Sequence, residues 1–235
     1  MKHRFITLPV LVLTATYGAL TSPPVSPPNS GSVAEPVHLA NWEVRITNLT
    51  RGQIFSPAVV AVHTAQQPSL WTLGEPASAE LTMVAEDAQT GALMASLQGS
   101  PFVSDVQLVT LGNGPIPPGQ TATAIVTGFN GRSNRLSLVG MLVSTNDAFY
   151  GVDSLELPRH GQTSMTGPAY DAGTEANTEQ CAHIPGPPCG NGGVRVTQGA
   201  EGHVHVHAGI HGGGGLDPAQ FDWRNPAVRI EVRRL

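Results

Sequence analysis

NWEVRITNLT, residues 41–50, alternates along its length: Trp42, Val44 and Ile46 fall on one side, Glu43, Arg45 and Thr47 on the other. In an extended chain successive side chains point to opposite faces, so this stretch reads as a strand with one face on a core and the other in water. The chain closes on the same pattern, with Val228, Ile230 and Val232 inward and Arg229, Glu231 and Arg233 outward. The cations between Arg229 and Arg234 are then the outer face of a strand rather than a nucleic-acid patch.

The stretches between these two ends repeat the theme. AVVAVH (58–63) and RLSLVGMLVST (135–145) are apolar runs, and VSDVQLVTL (103–111) and TATAIVTGF (121–129) flank the turn cluster GNGPIPPGQ. GGVRVTQ and HVHVHAG, joined by GAEG, read as a hairpin. One segment has helical spacing: EPASAELTMVAEDAQTGALMASL (75–97), with Pro76 in a first-turn position, Glu75 and Glu80 near the positive end, and Leu81, Val84 and Ala85 on one side. Gly91 should break it, leaving a second short turn over 92–97. Charged residues make up only 12%, Gly and Pro number 27 and 20, and net charge is −5. An all-β fold follows, an antiparallel β-sandwich with a short helical insertion over residues 38–235, and the charge leaves no basic footprint for nucleic acid.

The N-terminus reads as an export signal. MKHR is basic, and ITLPVLVLTATYGAL is apolar but too short to cross a membrane and is interrupted by Pro9. Residues 1–22 are assigned to the signal and 23–37 to a Pro/Ser-rich linker. Cys181 and Cys189 are the two cysteines, and in an exported protein so close a pair reads as a local disulfide around a peripheral Pro/Gly loop. Asn48-Leu49-Thr50 matches a glycosylation acceptor, which matters only in a eukaryotic secretory pathway.

Two acidic stretches carry the chemistry. STNDAFYGVDSL (144–155) and YDAGTEANTE (170–179) are rich in loop formers and stand where strands should end. Calcium takes six to eight oxygen ligands, and loops converging at one end of a sandwich can supply them. Asp171 and Glu175 flank Gly173, which permits a sharp turn, and Asp147 would complete a three-carboxylate site. Solvated loop residues making Asx-turns are the competing reading on chemistry alone.

ITNLTRGQIFSPAVVAVH, GEPASAELTMVAEDAQT, PPGQTATA, LSLVGMLVSTNDAFYGVDSL and YDAGTE stand in that order in the chain. With these pieces it resembles the spondin N-terminal domain family, known from F-spondin and mindin and from bacterial exported proteins. The resemblance runs from Trp42 to the C-terminus, where HVHAGIHGGGGLDPAQFDWRNPAVRIEVRR is similar to bacterial members. It implies an antiparallel β-sandwich of C2-like shape and a Ca²⁺ site whose ligands carry over to Asp147, Asp171 and Glu175. The family commonly has Asp at the last position, so Glu175 is a departure that asks the loop to shift. Asp153, in GVDSL, is a weaker candidate whose alternative is a hydrogen-bonded loop residue.

GHVHVHAGIHG (202–212) brings His203, His205, His207 and His211 within nine positions. At i, i+2 and i+4 the first three share one face of a strand, which reads as a wet imidazole face with Val204 and Val206 in the core. A surface Zn²⁺ or Cu²⁺ site, or a catalytic metal, needs a further ligand, with His63, His160, His183 and His211 available. GGGG (212–215) reads as a flexible turn, and no hydrolase or phosphate-loop signature is present.

The expected protein is an exported, non-enzymatic, calcium-binding module for recognition or adhesion in the extracellular space or cell envelope. The competing class is a secreted or periplasmic zinc or copper protein, or a metalloenzyme, built on the histidine cluster. Partners would be an extracellular or envelope protein or a glycan, with a membrane surface open as a third and nucleic acid excluded.

Overall fold

In the computed structural model, which describes residues 38–235, the strands are β1 Leu39–Asn48, β2 Ala58–His63, β3 Val103–Val109, β4 Thr121–Phe129, β5 Arg135–Met141, β6 Ala148–Glu156, β7 Gln162–Gly167, β8 Ala169–Asp171, β9 His205–Val206 and β10 Val228–Arg234. They form two antiparallel sheets, ordered β4-β1-β10-β7 and β3-β2-β5-β6-β8-β9, packed as a β-sandwich. The signal and linker assigned to residues 1–37 lie outside the described residues.

The opening alternation becomes β1, paired with β10 from Trp42↔Arg234 to Asn48↔Val228. Val44, Ile46, Val228, Ile230 and Val232 are fully buried from this sheet, facing Val60, Val62, Leu136 and Leu138 of the other. Their polar alternates meet in water, as in Arg233–Glu43 at 3.3 Å. Exposed pairs of this kind contribute at most about 1 kcal/mol, whereas each buried Val or Leu contributes roughly 1.5–3 kcal/mol. Core burial therefore sets the register.

The continuous apolar runs are strands covered on both faces. Val60 and Val62 of β2 face the inter-sheet core, while Val59 and Ala61 face a second cluster roofed by helices. Those helices are α1 Ala79–Asp87 and α2 Gly91–Gly99, contributing Leu81, Val84, Ala85, Leu93 and Leu97. The helix boundaries differ from the sequence expectation. Ser78 is the cap, its hydroxyl accepting from Leu81 N at 3.1 Å, so Pro76 precedes the helix. The break is at Ala88 (φ 56°), and Gly91 opens the second helix instead of ending the first.

Three further readings are corrected. STNDAFYGVDSL is not one long loop: the chain turns over 142–147 and then runs as β6, because Phe149, Tyr150 and Val152 each find a core face. Gly140 makes room for this strand, since a Cβ there would stand 2.6 Å from the Tyr150 hydroxyl. Val194–Gln198 forms no strand and no hairpin with the histidine segment; among its backbone bonds is Ala176 N–H to Val196 O at 2.8 Å. Asn48 is fully buried, donating to Gln53 O and Ile116 O and accepting from Thr50 N and its hydroxyl, so the folded chain presents no glycosylation acceptor there.

Candidate metal centre at the acidic end

Sheet order brings the acidic and histidine segments together. Asp147 immediately precedes β6, whose first residue Ala148 pairs with Asp171 at the end of β8, and Asp171 pairs in turn with His205 of β9. Asp147, Asp171 and His205 thus stand side by side at one end of three neighbouring strands. Long-range sheet pairing does this, and none of the three is near another in sequence.

Asp147 and Asp171 are both fully buried. Asp147 Oδ2 accepts from Thr174 N at 2.7 Å, Glu175 N at 3.0 Å and the Thr174 hydroxyl at 3.2 Å. Its Oδ1 is buried with no hydrogen-bond partner. Burial, reinforced by the negative charge of Asp171, pushes the Asp147 carboxyl up to about 7. Asp171 Oδ1 accepts from Gly173 N at 2.7 Å and Oδ2 from Asn177 Nδ2 at 2.7 Å. Gly173 has φ +68°, and a Cβ there would meet His203 O at 2.3 Å, so this turn admits only glycine without rearrangement.

Glu175 lies in the same loop, but its carboxylate faces elsewhere. Arg195 Nε stands 3.5 Å from Glu175 Oε1 and also pairs with Glu86 and Asp87 at the end of α1. Burial first, then the charge of Glu86, pushes Glu175 up to about 7, with Arg195 acting against the rise. The structure therefore groups Asp147 with Asp171, and Glu175 with Glu86, Asp87 and Arg195. Asp153 is on β6, accepting from the Ser137 hydroxyl at 2.7 Å.

The histidines lie on one side but do not form a wet face: the His203 and His205 rings are 5.4 Å apart, and His205 and His207 both approach Asp171, at 3.8 and 3.7 Å. Val204 and His207 are buried while Val206 is 46% exposed, so the expected wet imidazole row with both valines inside is corrected. The pairing with β8 lasts two residues, and Gly202 and Gly209 adopt positive φ on either side, so burial does not alternate along the segment. His207 Nδ1 accepts from Gly209 N at 3.0 Å; its Nε2 therefore carries the proton and donates to Asn177 Oδ1, also at 3.0 Å. Burial, reinforced by the His205 charge, lowers His207 to about 4. His211 is exposed, and GGGG is not loose, because His211 N, Gly212 N and Gly213 N all donate to the buried Glu179 carboxylate at 2.6–2.9 Å. The arrangement resembles a backbone nest holding an anion.

A family model described as Spondin_N matches residues 47–189, a span running from the end of β1 through the acidic loops to Cys189. The chain belongs to the spondin N-terminal domain family. No curated protein matches it. Spondin N-terminal domains are generally non-catalytic and typically extracellular. The Cys181–Cys189 disulfide fits an exported protein. The loop it closes is not peripheral: Ile184 is fully buried in the inter-sheet core, and Gly186 N donates to Val143 O at 2.7 Å. Asn177 and Glu201, which sequence reasoning passed over, are placed at the site by the β8–β9 pairing and by hydrogen bonds to Asp171 and to each other, and no spacing pattern advertised them.

Proposed function

We infer that this spondin domain is an exported, non-enzymatic recognition module whose acidic end is ordered by Ca²⁺. The carrying observation is the Asp147–Asp171 pair: two fully buried carboxylates, one with an oxygen lacking any partner. Buried charge of one sign is costly without a counter-charge, and hard oxygen donors on loops suit calcium. In this reading Asp147 and Asp171 are ligands. Glu175 is the third, exchanging its loose contact with an arginine that already has two other carboxylates. Bound calcium would supply positive charge and fix the 142–147 turn against the 172–177 loop. The exposed rim around that end would then present a rigid surface to an extracellular or envelope protein or glycan.

Binding to the folded state alone stabilises by about 2.7 kcal/mol at a hundredfold excess over Kd. For a domain of this size that is a rise in Tm of roughly 5–10 °C. Calorimetry with calcium and with chelator should show the rise in the wild type. Asp147→Asn, which keeps an acceptor for the Thr174 and Glu175 amides, should lose most of it, and Asp153→Asn should keep it. A wild-type Tm indifferent to millimolar calcium would overturn the reading.

A further inference from the structure

His205 is the one member of the histidine segment whose free nitrogen points into the acidic end. Its Nδ1 lies 3.0 Å from the Val206 carbonyl, which can only accept, so Nδ1 carries a proton. The other ring nitrogen, Nε2, then turns inward. That nitrogen is buried, has no hydrogen-bond partner, and stands 3.8 Å from Asp171 Oδ1. A buried ring nitrogen without a partner, at that separation from a carboxylate oxygen, leaves room for a cation bridging the two. Glu201 completes the set: one donor atom each from Asp171, Glu201 and His205 lie within 4.8 Å of one another.

The geometry points to a second metal site here, a zinc site with ligands Asp171, Glu201 and His205. Imidazole nitrogen beside carboxylate oxygen selects zinc-class ions over calcium, which takes oxygen alone. Ligands of a tetrahedral zinc ion, with bonds of roughly 2.0–2.2 Å, stand about 3.4 Å apart. Closing the triad around the ion needs movement mainly of Glu201, which is exposed and sits between Gly199 and Gly202, both at positive φ. A backbone carbonyl on the far nitrogen of the ligating histidine is the usual support for such a ring.

A further layer holds the carboxylates. Asn177 Nδ2 donates to Asp171 Oδ2 at 2.7 Å and to Glu201 Oε1 at 3.3 Å, so one amide ties two ligands together. Asn177 is oriented by His207 Nε2–H, and His207 by Gly209 N–H. With both nitrogens engaged, His207 is a positioning residue and not a ligand. Three protein ligands leave a fourth position open to water or to a donor atom of a bound partner, at an edge where Glu201 and Val206 are exposed.

The site shares Asp171 with the calcium reading but does not rest on it. The test is zinc content and cobalt(II) absorption of the full protein, purified without a polyhistidine tag and dialysed against micromolar metal. One zinc per chain and a visible cobalt band of low-symmetry nitrogen–oxygen ligation are expected. His205→Ala should weaken zinc binding at least tenfold, and Asn177→Ala by about ten- to a hundredfold. His211→Ala, exposed and outside the triad, should leave zinc binding unchanged. His205→Ala should keep any calcium-dependent rise in Tm and Asp147→Asn should keep the cobalt band, whereas Asp171→Asn should lose both. No zinc uptake by the wild type, uptake undiminished in His205→Ala, or equal loss in His211→Ala would each overturn the proposal.

Discussion

His63 shows how a single buried side chain ties stability to pH. At the end of β2 it is 1% exposed, with Nδ1 donating to Thr64 O and Nε2 against the Ser137 hydroxyl, both at 2.8 Å. Burial lowers its pKa from the ordinary value; the Thr64 carbonyl and Asp153 work against that shift, and Arg135 adds to it. The folded state therefore prefers the neutral ring, while the unfolded chain takes up a proton below about 6.5. The sign follows: this contribution is fully present above the unfolded value and is lost as pH falls below it. The loss is at most about 1.4 kcal/mol per pH unit. Urea unfolding at pH 7.5 and 5.5 should show acidification shifting the wild-type midpoint downward relative to the shift in His63→Gln, the buried Asp147 and Glu175 carboxyls acting in the opposite direction in both proteins. An equal shift in both proteins would remove His63 from the account.

Elements were legible where one physical cause acts along their whole length. β2 and β4 have the limits their residues suggest, β2 because its apolar run is covered on both faces and β4 because a half-buried β-rich segment begins directly after a turn cluster. β1 and β10 follow from alternation over seven or more residues. The histidine segment did not yield to that reasoning, because its strand is two residues long and glycines reset the backbone on either side. At the acidic end, the residue types and their loops were visible in sequence. The direction of the Glu175 carboxylate was not, because Arg195, Glu86 and Asp87 arrive from two other segments. The disulfide loop is a similar case: its Pro and Gly content suggests a surface appendage, and only the fold reveals Ile184 in the core. Closing a nine-residue loop contributes about 2–3 kcal/mol by chain entropy. Since Gly186 N binds Val143 O and the Ser144 hydroxyl binds Pro187 O, that constraint reaches the turn carrying Asp147. Replacing both cysteines by alanine should lower Tm by roughly 5–10 °C. It should also speed hydrogen exchange at the Gly186 amide more than at Ile46 in β1. An unchanged Tm and exchange pattern would show that the core contacts of Ile184 hold the loop unaided.

Among the described residues the four-stranded sheet is completed by its last strand. β10 lies between β1 and β7 in the four-stranded sheet, so the final residues occupy the middle and not an edge. Glu43 and Arg233 are paired although 190 positions apart, so β1 cannot complete its pairing until nearly all the chain is available. Closing so long a loop costs entropy before the contacts repay it, and folds dominated by such pairings form in milliseconds to seconds. Val228, Ile230 and Val232 are fully buried, and removing them exposes the partners they cover: Val44 and Ile46 from β1, and Leu136 and Leu138 across the core. Each large-to-small loss at such a site costs about 1–5 kcal/mol, so three together, with the central ladder lost as well, are as large as the roughly 5–15 kcal/mol that holds a domain folded. A chain ending at Ala227 should therefore lack a cooperative thermal transition and near-ultraviolet dichroism, and should bind dyes that report exposed apolar surface. By contrast, Ile125→Ala, at a position on the same sheet that is 56% exposed, should keep the wild-type transition within about 0.5 kcal/mol. A truncated chain that still melts cooperatively would place the folding core in the six-stranded sheet and its helices alone.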